Sequence, residues 1–165
     1  MTIQVGEAIP NIKLKRLGAS GMEDVMTADY LKGKQVILFA TTGAFTPTCA
    51  QKHLPGYVSN ADKIKAQGVD EIICLSVNDP FVMKHWGEVA GAEGKVTMMP
   101  DGNGEFVSAL GLTMDGSGFG LGKRAQRFSM IIDNGIVKDL QVEPAAGNVE
   151  LSGAEACMLR LGKAS

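Results

Sequence analysis

The sequence predicts an α/β fold in which a mixed central sheet carries helices on both faces. Continuous apolar runs at 36–40 and 71–77 are typical of strands buried on both faces, and a segment with helical signals follows each run. Two later strand patterns, 127–133 and 136–142, are joined by an Asn-Gly pair at 134–135, the strongest hairpin signal in the chain. Strand–helix–strand units followed by a hairpin and a terminal helix are expected to share one mixed sheet.

The first half of the chain is predicted to contain a strand and a helix that meet at a polar turn. One or two edge strands are expected within 3–17, and a short helix or turn within 26–31. The buried strand at 36–40 is followed, after the turn, by a helical pattern over 50–66. Pro55 lies inside that helix, so we expect a kink or a short break there.

The second half continues the alternation of strands and helices. The patterns predict a helix, a short strand, a short helix and a terminal helix at 81–90, 95–99, 105–110 and 151–161. The segment 115–123 is glycine-rich, but it lacks the Lys-Ser/Thr pair of a phosphate-binding loop and opens no clear helix, which disfavours phosphate binding. The complete layout is that of a thioredoxin-like fold.

Composition narrows the classes of function. A chain of 165 residues suits one domain over 1–165, with 45% apolar and 21% charged residues. A net charge of -2 gives no basic footprint for nucleic acid or for an anionic membrane, and no apolar run approaches the roughly 20 residues that span a bilayer. No signal peptide is visible, so a cytoplasmic location is expected, although an organellar presequence removed earlier stays open.

The cysteines argue for chemistry and against a disulfide scaffold. There are three, at 49, 74 and 157, an odd and widely spaced set without a CxxC pair. With only two histidines in the chain, Cys/His metal spacing is absent, and no metal is expected.

Cys49 lies where a reactive thiol is expected. It follows the buried strand and falls near the first turn of the next helix, where unpaired backbone N–H groups favour a thiolate. Thr46 can cap that helix or hydrogen-bond the sulfur, and Pro47 suits the first helical position. The alternative is a buried structural cysteine after an ordinary strand-to-helix turn.

The residues around Cys49 resemble a known family. The segments GAFTPTC at 43–49 and HLPGY at 53–57 resemble the active-site region of the peroxiredoxins, most closely the subgroup that contains peroxiredoxin five and its bacterial and plant relatives. The likeness continues, in order, at 74–79, 86–87, 95–96, 127–130 and 135–137.

The resemblance implies reduction of hydrogen peroxide and alkyl hydroperoxides by a cysteine thiolate, without metal, haem or flavin. By position, Cys49 is similar to the peroxidatic cysteine, Thr46 to the threonine that hydrogen-bonds sulfur and peroxide, and Arg127 to the arginine that holds both. Thr42 and Gly43 complete the residues expected to bind the peroxide. The family also implies a homodimer, in which Phe45 and Phe119 are candidates for a subunit contact, for a peroxide mouth or for plain packing.

Two features depart from the family pattern. The family places a proline where this chain has Thr42, which could lower activity or expose the oxidised sulfur. No cysteine stands at 148–151, where animal members carry the resolving cysteine. A one-cysteine mechanism is therefore expected, with glutathione and glutaredoxin, or thioredoxin, as reductant. Cys157 is interpreted as a packing residue rather than a resolving one, and Cys74 as part of a buried strand.

Other interpretations of the sequence concern the class of function and the role of His53. A thioredoxin-fold redox sensor or binding protein with impaired turnover would be consistent with Thr42. A CxxC-type oxidoreductase is disfavoured, because no second cysteine lies near Cys49 in sequence. His53, four residues after Cys49, is either an imidazolium that helps to hold the thiolate or a structural hydrogen-bonding residue.

Overall fold

The computed structural model describes residues 1–164, and its central feature is a mixed β-sheet. The strands, in chain order, are β1 (Lys13–Gly18), β2 (Gly21–Met26), β3 (Gln35–Ala40), β4 (Glu71–Ser76), β5 (Thr97–Pro100), β6 (Thr113–Asp115), β7 (Lys123–Ala125), β8 (Phe128–Asp133) and β9 (Ile136–Val142). The helices are α1 (Thr27–Leu31), α2 (Leu54–Ala66), α3 (Pro80–Val89), α4 (Glu105–Leu110) and α5 (Ala154–Ala164), with a π-helical turn at Cys49–His53 and a 3-10 turn at Ser117–Phe119.

The central sheet has the order β5-β4-β3-β8-β9. Strands β3, β4 and β5 are parallel to one another, whereas β8 runs antiparallel to β3 and β9 antiparallel to β8. The hairpins β1–β2 and β6–β7 form separate two-stranded sheets. The predicted mixed sheet is confirmed.

Helices cover both faces of the central sheet. Successive side chains of β3 point to opposite faces and pack into two different apolar clusters. Val36 and Leu38 pack on one side with residues of α1 and α4. Ile37 and Phe39 pack on the other side with residues of α2, α3 and α5. Full burial of such side chains stabilises the fold by about 1.5–3 kcal/mol each. The predicted helices on both faces, and the thioredoxin-like fold, are confirmed.

The helix after the active-site loop differs from the prediction. Helical residues begin at Pro47, and α2 runs through Pro55 without a break to Ala66. Pro55 lies in the first turn of α2, where its missing N–H and fixed φ cost little. The irregularity lies one turn earlier, in the π-turn Cys49–His53, which the sequence did not predict. Isolated π-turns inside helices are frequent at functional sites.

Two further segments also differ in detail from the sequence prediction. The predicted loop 115–123 contains the 3-10 turn and is flanked by the short strands β6 and β7. The terminal helix α5 begins at Ala154 rather than at 151. The N–H groups of Leu151 and Ser152 donate to the carboxylate of Glu143, so these residues remain in a loop.

The predicted single domain over 1–165 stays a prediction, and its last residue lies outside the described residues. Within residues 1–164, no helix combines the length and the apolar character needed to cross a bilayer.

Candidate active site

Cys49 lies at the carboxyl end of the central strand β3. The chain leaves β3 at Ala40, crosses a short loop and enters the helical segment at Pro47, so that Cys49 begins the π-turn. Its side chain has no exposed surface. Because β3 and β4 are parallel, their carboxyl ends meet at one edge, the usual place for a site in an open α/β sheet.

The loop before Cys49 is held by two hydrogen bonds that involve side chains. Asn78, just after β4, accepts the N–H of Ala44 through Oδ1 at 2.9 Å. The hydroxyl of Thr46 donates to the carbonyl of Gly43 at 2.6 Å. Phe45 between them has φ of 62°, a left-handed conformation uncommon for a bulky residue. The loop is therefore a fixed and locally strained turn, consistent with a functional role.

Gly43 is explained by space rather than by backbone conformation. A Cβ at this position would lie 3.0 Å from Cγ2 of Thr46 and 3.1 Å from Nη1 of Arg124. A side chain here would displace the loop or the arginine, so glycine allows the close packing around the site.

Arg127 reaches the cysteine from the strand on the other side of β3. It immediately precedes β8, and its side chain is 2% exposed. Nη2 donates to Sγ of Cys49 at 2.9 Å, Nη1 donates to Nδ1 of His53 at 2.8 Å, and Nε donates to the carbonyl of Ala146 at 2.8 Å. Three acceptors in different directions fix the plane of the guanidinium.

His53 is neutral and holds the arginine. Burial, together with the charge of Arg127, lowers the pKa of His53 to about 3. Because Arg127 always donates, Nδ1 of His53 accepts, and Nε2 carries the proton that it donates to the carbonyl of Ser152 at 3.1 Å. The imidazolium interpretation is wrong for this geometry, and His53 is a structural hydrogen-bonding residue.

The surroundings of Cys49 favour its thiolate. Burial on its own raises the pKa of the thiol, but the charge of Arg127, the hydroxyl of Thr42 and the backbone of Gly43 act in the opposite direction. The net effect is a pKa below the ordinary value for cysteine. A buried thiolate with a cation beside it is the form of cysteine that acts as a nucleophile.

The two threonines hold different positions at the sulfur. Oγ1 of Thr42 lies 3.4 Å from Sγ of Cys49, within hydrogen-bond distance for sulfur. Thr46 lies beside the site, but its hydroxyl hydrogen is directed to the carbonyl of Gly43. Thr42 is 6% exposed and covers the sulfur together with Arg127, so this departure from the family proline leaves Cys49 buried.

The structure thus brings together the five residues predicted for the site, namely Thr42, Gly43, Thr46, Cys49 and Arg127. Their roles in binding and catalysis stay predictions.

Sequence reasoning missed the residues that support this group. Asn78 lies within the segment 74–79 of the family resemblance, and its position just after a buried strand is a signal that could identify it as a residue of the site. Glu143, 6% exposed, accepts the N–H groups of Leu151 and Ser152 and the hydroxyl of Ser152. It thereby fixes the carbonyl of Ser152, which accepts from His53 and from Tyr57. No local pattern indicates a buried carboxylate at this position.

The other two cysteines are buried and free. Burial, and the proximity of Cys49, raise the pKa of the Cys74 thiol, although Arg127 acts in the opposite direction. Burial raises the pKa of the Cys157 thiol, which lies on α5 in the same apolar cluster as Tyr57. Neither thiol is held as a thiolate.

Other features of the described residues do not add to this site. Across residues 1–164, no three His, Cys, Asp or Glu side chains converge in a way that could hold a metal ion. A cavity of about 400 Å³ lies between the β1–β2 hairpin, α3 and β5, and neither Cys49 nor Arg127 lines it.

The fold and the site define a thioredoxin-fold protein with one activated cysteine, and comparison with known proteins gives its family. The family model for Redoxin matches residues 4–158. The chain belongs to the redoxin family, as a peroxiredoxin of the subgroup predicted from the sequence. Peroxiredoxins are thiol-dependent peroxidases, so the predicted class of enzyme is also confirmed.

Plant relatives and a bacterial crystal structure show the extent of the similarity. The chain is 42% identical over 154 residues to Peroxiredoxin-2C of Arabidopsis thaliana, covering 93% of this chain and 94% of that relative. It is 43% identical over 146 residues to the chloroplastic Peroxiredoxin-2E of the same plant, covering 86% of this chain but 62% of the longer relative. The crystal structure of reduced Prx3 from Vibrio vulnificus in complex with H2O2 is 49% identical, with a TM-score of 0.92 over 97% of this chain and 99% of that one.

Proposed function

We propose that the protein reduces hydrogen peroxide and alkyl hydroperoxides through the Cys49 thiolate, by a one-cysteine mechanism that uses an external thiol. The observation that carries this proposal is the buried contact of 2.9 Å between Nη2 of Arg127 and Sγ of Cys49. A buried cation beside a thiol favours the charged nucleophile and leaves donors available for negative charge on oxygen.

In the first step the Cys49 thiolate attacks one oxygen of the peroxide. An S–O bond forms, the O–O bond breaks, and its electron pair leaves on the second oxygen. Cys49 is oxidised to sulfenic acid, and the leaving oxygen takes a proton to become water or an alcohol. Arg127 and the hydroxyl of Thr42 lie at the sulfur, where negative charge moves from sulfur to oxygen, so they stabilise it without reorganisation.

The second step needs an external thiol, because neither other cysteine is prepared to attack. Cys74 and Cys157 are fully buried, and burial keeps the pKa of both thiols high. An external thiolate attacks the sulfur of the sulfenic acid, forms a mixed disulfide and releases water. A second thiol attacks the outer sulfur and returns Cys49 to its reduced form. Glutathione with glutaredoxin, or thioredoxin, supplies thiols of this kind.

Hydrogen peroxide as a substrate is supported by the Vibrio vulnificus Prx3 structure, which contains H2O2. Alkyl hydroperoxides are supported by apolar surface near the site, where Phe45 is 46% exposed. Since Cys49 has no exposed surface, peroxide and thiol reach it only when the surrounding side chains move.

We also propose a cytoplasmic homodimer whose contact lies beside the active-site loop. Three large aromatic side chains are exposed: Phe45, Phe81 and Phe119 at 46%, 64% and 89%. Such residues favour a protein contact. Sedimentation at tens of micromolar, in both redox states, tests this, and a monomer throughout would contradict it. The three free cysteines suit a reducing compartment.

A peroxide-consumption assay tests the function. The protein is supplied with hydrogen peroxide and either glutathione with glutaredoxin or thioredoxin with its reductase, and consumption is followed over many turnovers. Catalytic turnover with one of these systems is expected. Oxidation of Cys49 that stops after one equivalent with both systems would contradict the peroxidase and favour a redox sensor.

A further inference from the structure

Thr42 occupies the position at which the family pattern has a proline. In this chain its side chain contacts the reacting sulfur directly. It follows Ala40 and Thr41 at the end of β3 and is 6% exposed. Its Oγ1 lies 3.4 Å from Sγ of Cys49. This is the hydrogen bond that the Thr42 side chain makes among the described residues. A proline at this position has no hydroxyl and could not make this contact.

The hydroxyl of Thr46 does not duplicate this contact. A hydroxyl has one hydrogen to donate, and that of Thr46 is directed to the carbonyl of Gly43 at 2.6 Å. Thr46 can still accept from an incoming peroxide, but its hydrogen is not available to the sulfur in this state. The hydroxyl of Thr42 makes no other hydrogen bond among the residues whose side chains the structure describes.

The direction of the bond follows from the charge on the sulfur. A thiolate has no hydrogen and can only accept, so when Cys49 is ionised the hydroxyl of Thr42 must donate to it. Hydrogen bonds to ionised groups are about twice as strong as those between neutral groups. The contact therefore stabilises the thiolate more than the thiol.

We propose that Thr42 is a catalytic residue of this chain, whose hydroxyl donates to the Cys49 thiolate and holds the sulfur in its reacting orientation. Its effect on ionisation stands on the contact alone, whereas its effect on peroxide reduction rests on the proposed function. The sulfur thus receives two donors, Thr42 from the loop that follows β3 and Arg127 from the residue before β8, the strand that pairs with β3.

The test measures the ionisation of Cys49. All variants are made in the Cys74→Ser/Cys157→Ser protein, in which Cys49 is the only cysteine. Thr42→Val removes the hydroxyl and keeps the branched shape, and Thr42→Ser keeps the hydroxyl. Thr41→Val is the matched control, because Thr41 is fully buried next to Thr42 and its Oγ1 has no hydrogen-bond partner among the described residues. The ultraviolet absorbance of the thiolate and the rate of alkylation by iodoacetamide are followed against pH.

Thr42→Val should raise the pKa of Cys49 by about one unit, which corresponds to about a tenfold loss of thiolate below the pKa. Thr42→Ser and Thr41→Val should leave the pKa of Cys49 unchanged. The other groups that face the sulfur, Arg127 and its partner His53, are the same in all the variants made on this background, and position 74 is serine in each of them. If Thr42→Val does not fold, Thr42→Ala removes the same hydroxyl without a branched side chain.

An unchanged pKa in the hydroxyl-free variants, or an equal rise in Thr42→Ser, would overturn the proposal. The rate of a single turnover with peroxide separates this outcome from a failure of the proposed function. Thr42→Val should lower that rate about tenfold at pH values below the pKa of Cys49. A raised pKa in a protein that never reduces peroxide would leave the contact with Thr42 valid and contradict the peroxidase instead.

Discussion

Nη1 of Arg127 lies 2.8 Å from Nδ1 of His53, and this bond determines which way the guanidinium faces. With Nη1 held by His53 and Nε held by the carbonyl of Ala146, Nη2 points to the sulfur of Cys49. The neutral histidine is essential to this arrangement, because an imidazolium has no acceptor to offer. His53 therefore positions the cation without touching the reacting atoms.

Replacement of Arg127 by Gln should lower the rate of peroxide reduction by about 10²–10³, since removal of one preorganised donor typically costs that much. The pKa of Cys49 should also rise, because the nearby positive charge is lost. Stopped-flow kinetics and titration of the thiolate measure the two effects.

Two further variants serve as controls for Arg127→Gln, one at position 127 and one at a distant arginine. Arg127→Lys keeps the charge but loses the planar donors, so it should restore part of the thiolate and little of the rate. Arg16→Gln removes an arginine that pairs with Glu23 on the β1–β2 hairpin and should change neither quantity. Normal activity and a normal Cys49 titration in Arg127→Gln would rule out the role.

The pKa of His53 predicts a dependence of stability on pH. The value in the folded protein is about 3, below the ordinary value of 6.5, so between these pH values the unfolded chain binds a proton that the folded chain does not. The stabilisation is complete above about pH 6.5 and is lost as the pH falls towards 3, by about 1.4 kcal/mol per pH unit. Between pH 7 and pH 5, the free energy of unfolding of the native protein should therefore fall by about 2 kcal/mol more than that of His53→Asn.

Urea unfolding at both pH values measures this difference. His53→Asn should be less stable than the native protein at pH 7 but less sensitive to acid. His85→Asn is the matched control, because His85 is the other histidine and its side chain is 68% exposed. Equal pH dependence in the native protein and His53→Asn would show that His53 is not held neutral by the fold.

The central sheet could be predicted from the sequence because its strands carry their own signals. The run 36–40 is apolar at every position since β3 is buried on both faces, and the Asn-Gly pair at 134–135 joins β8 to β9. The π-turn and the first residues of α5 could not be predicted in this way. The start of α5 depends on a hydrogen bond from Leu151 to Glu143, which lies eight residues earlier.

Some residues of the site could be predicted from the adjacent sequence, whereas others depend on contacts between distant parts of the chain. Cys49 and Thr46 could be predicted because they lie within one strand-to-helix junction. Arg127 came only from the family resemblance, since it is 78 residues from Cys49 and the sheet brings the two together. The contact of Thr42 with the sulfur depends on the conformation of the loop, which no residue pattern specifies.

Cys49 sulfenic acid should be captured by an external thiol rather than by Cys157. The Cys157 thiol is fully buried, and burial raises its pKa, so it is a poor nucleophile in the folded protein. The protein is oxidised with one equivalent of peroxide without reductant, and its intact mass and unreduced digest are measured. Sulfenic acid at Cys49 is expected, with sulfinic acid in excess peroxide. A quantitative disulfide between the Cys49 and Cys157 peptides would show that Cys157 resolves.

The most direct test of the account is the second-order rate of reaction with hydrogen peroxide in two complementary variants. In Cys74→Ser/Cys157→Ser, Cys49 is the only thiol, and the rate should stay close to that of the native protein, with one oxygen added at Cys49. In Cys49→Ser, the contact with Arg127 remains possible but the nucleophile is gone, and the reaction should be lost. Near-native peroxide reduction by Cys49→Ser, or its loss when Cys49 alone remains, would contradict the assignment of Cys49 as the reacting thiol.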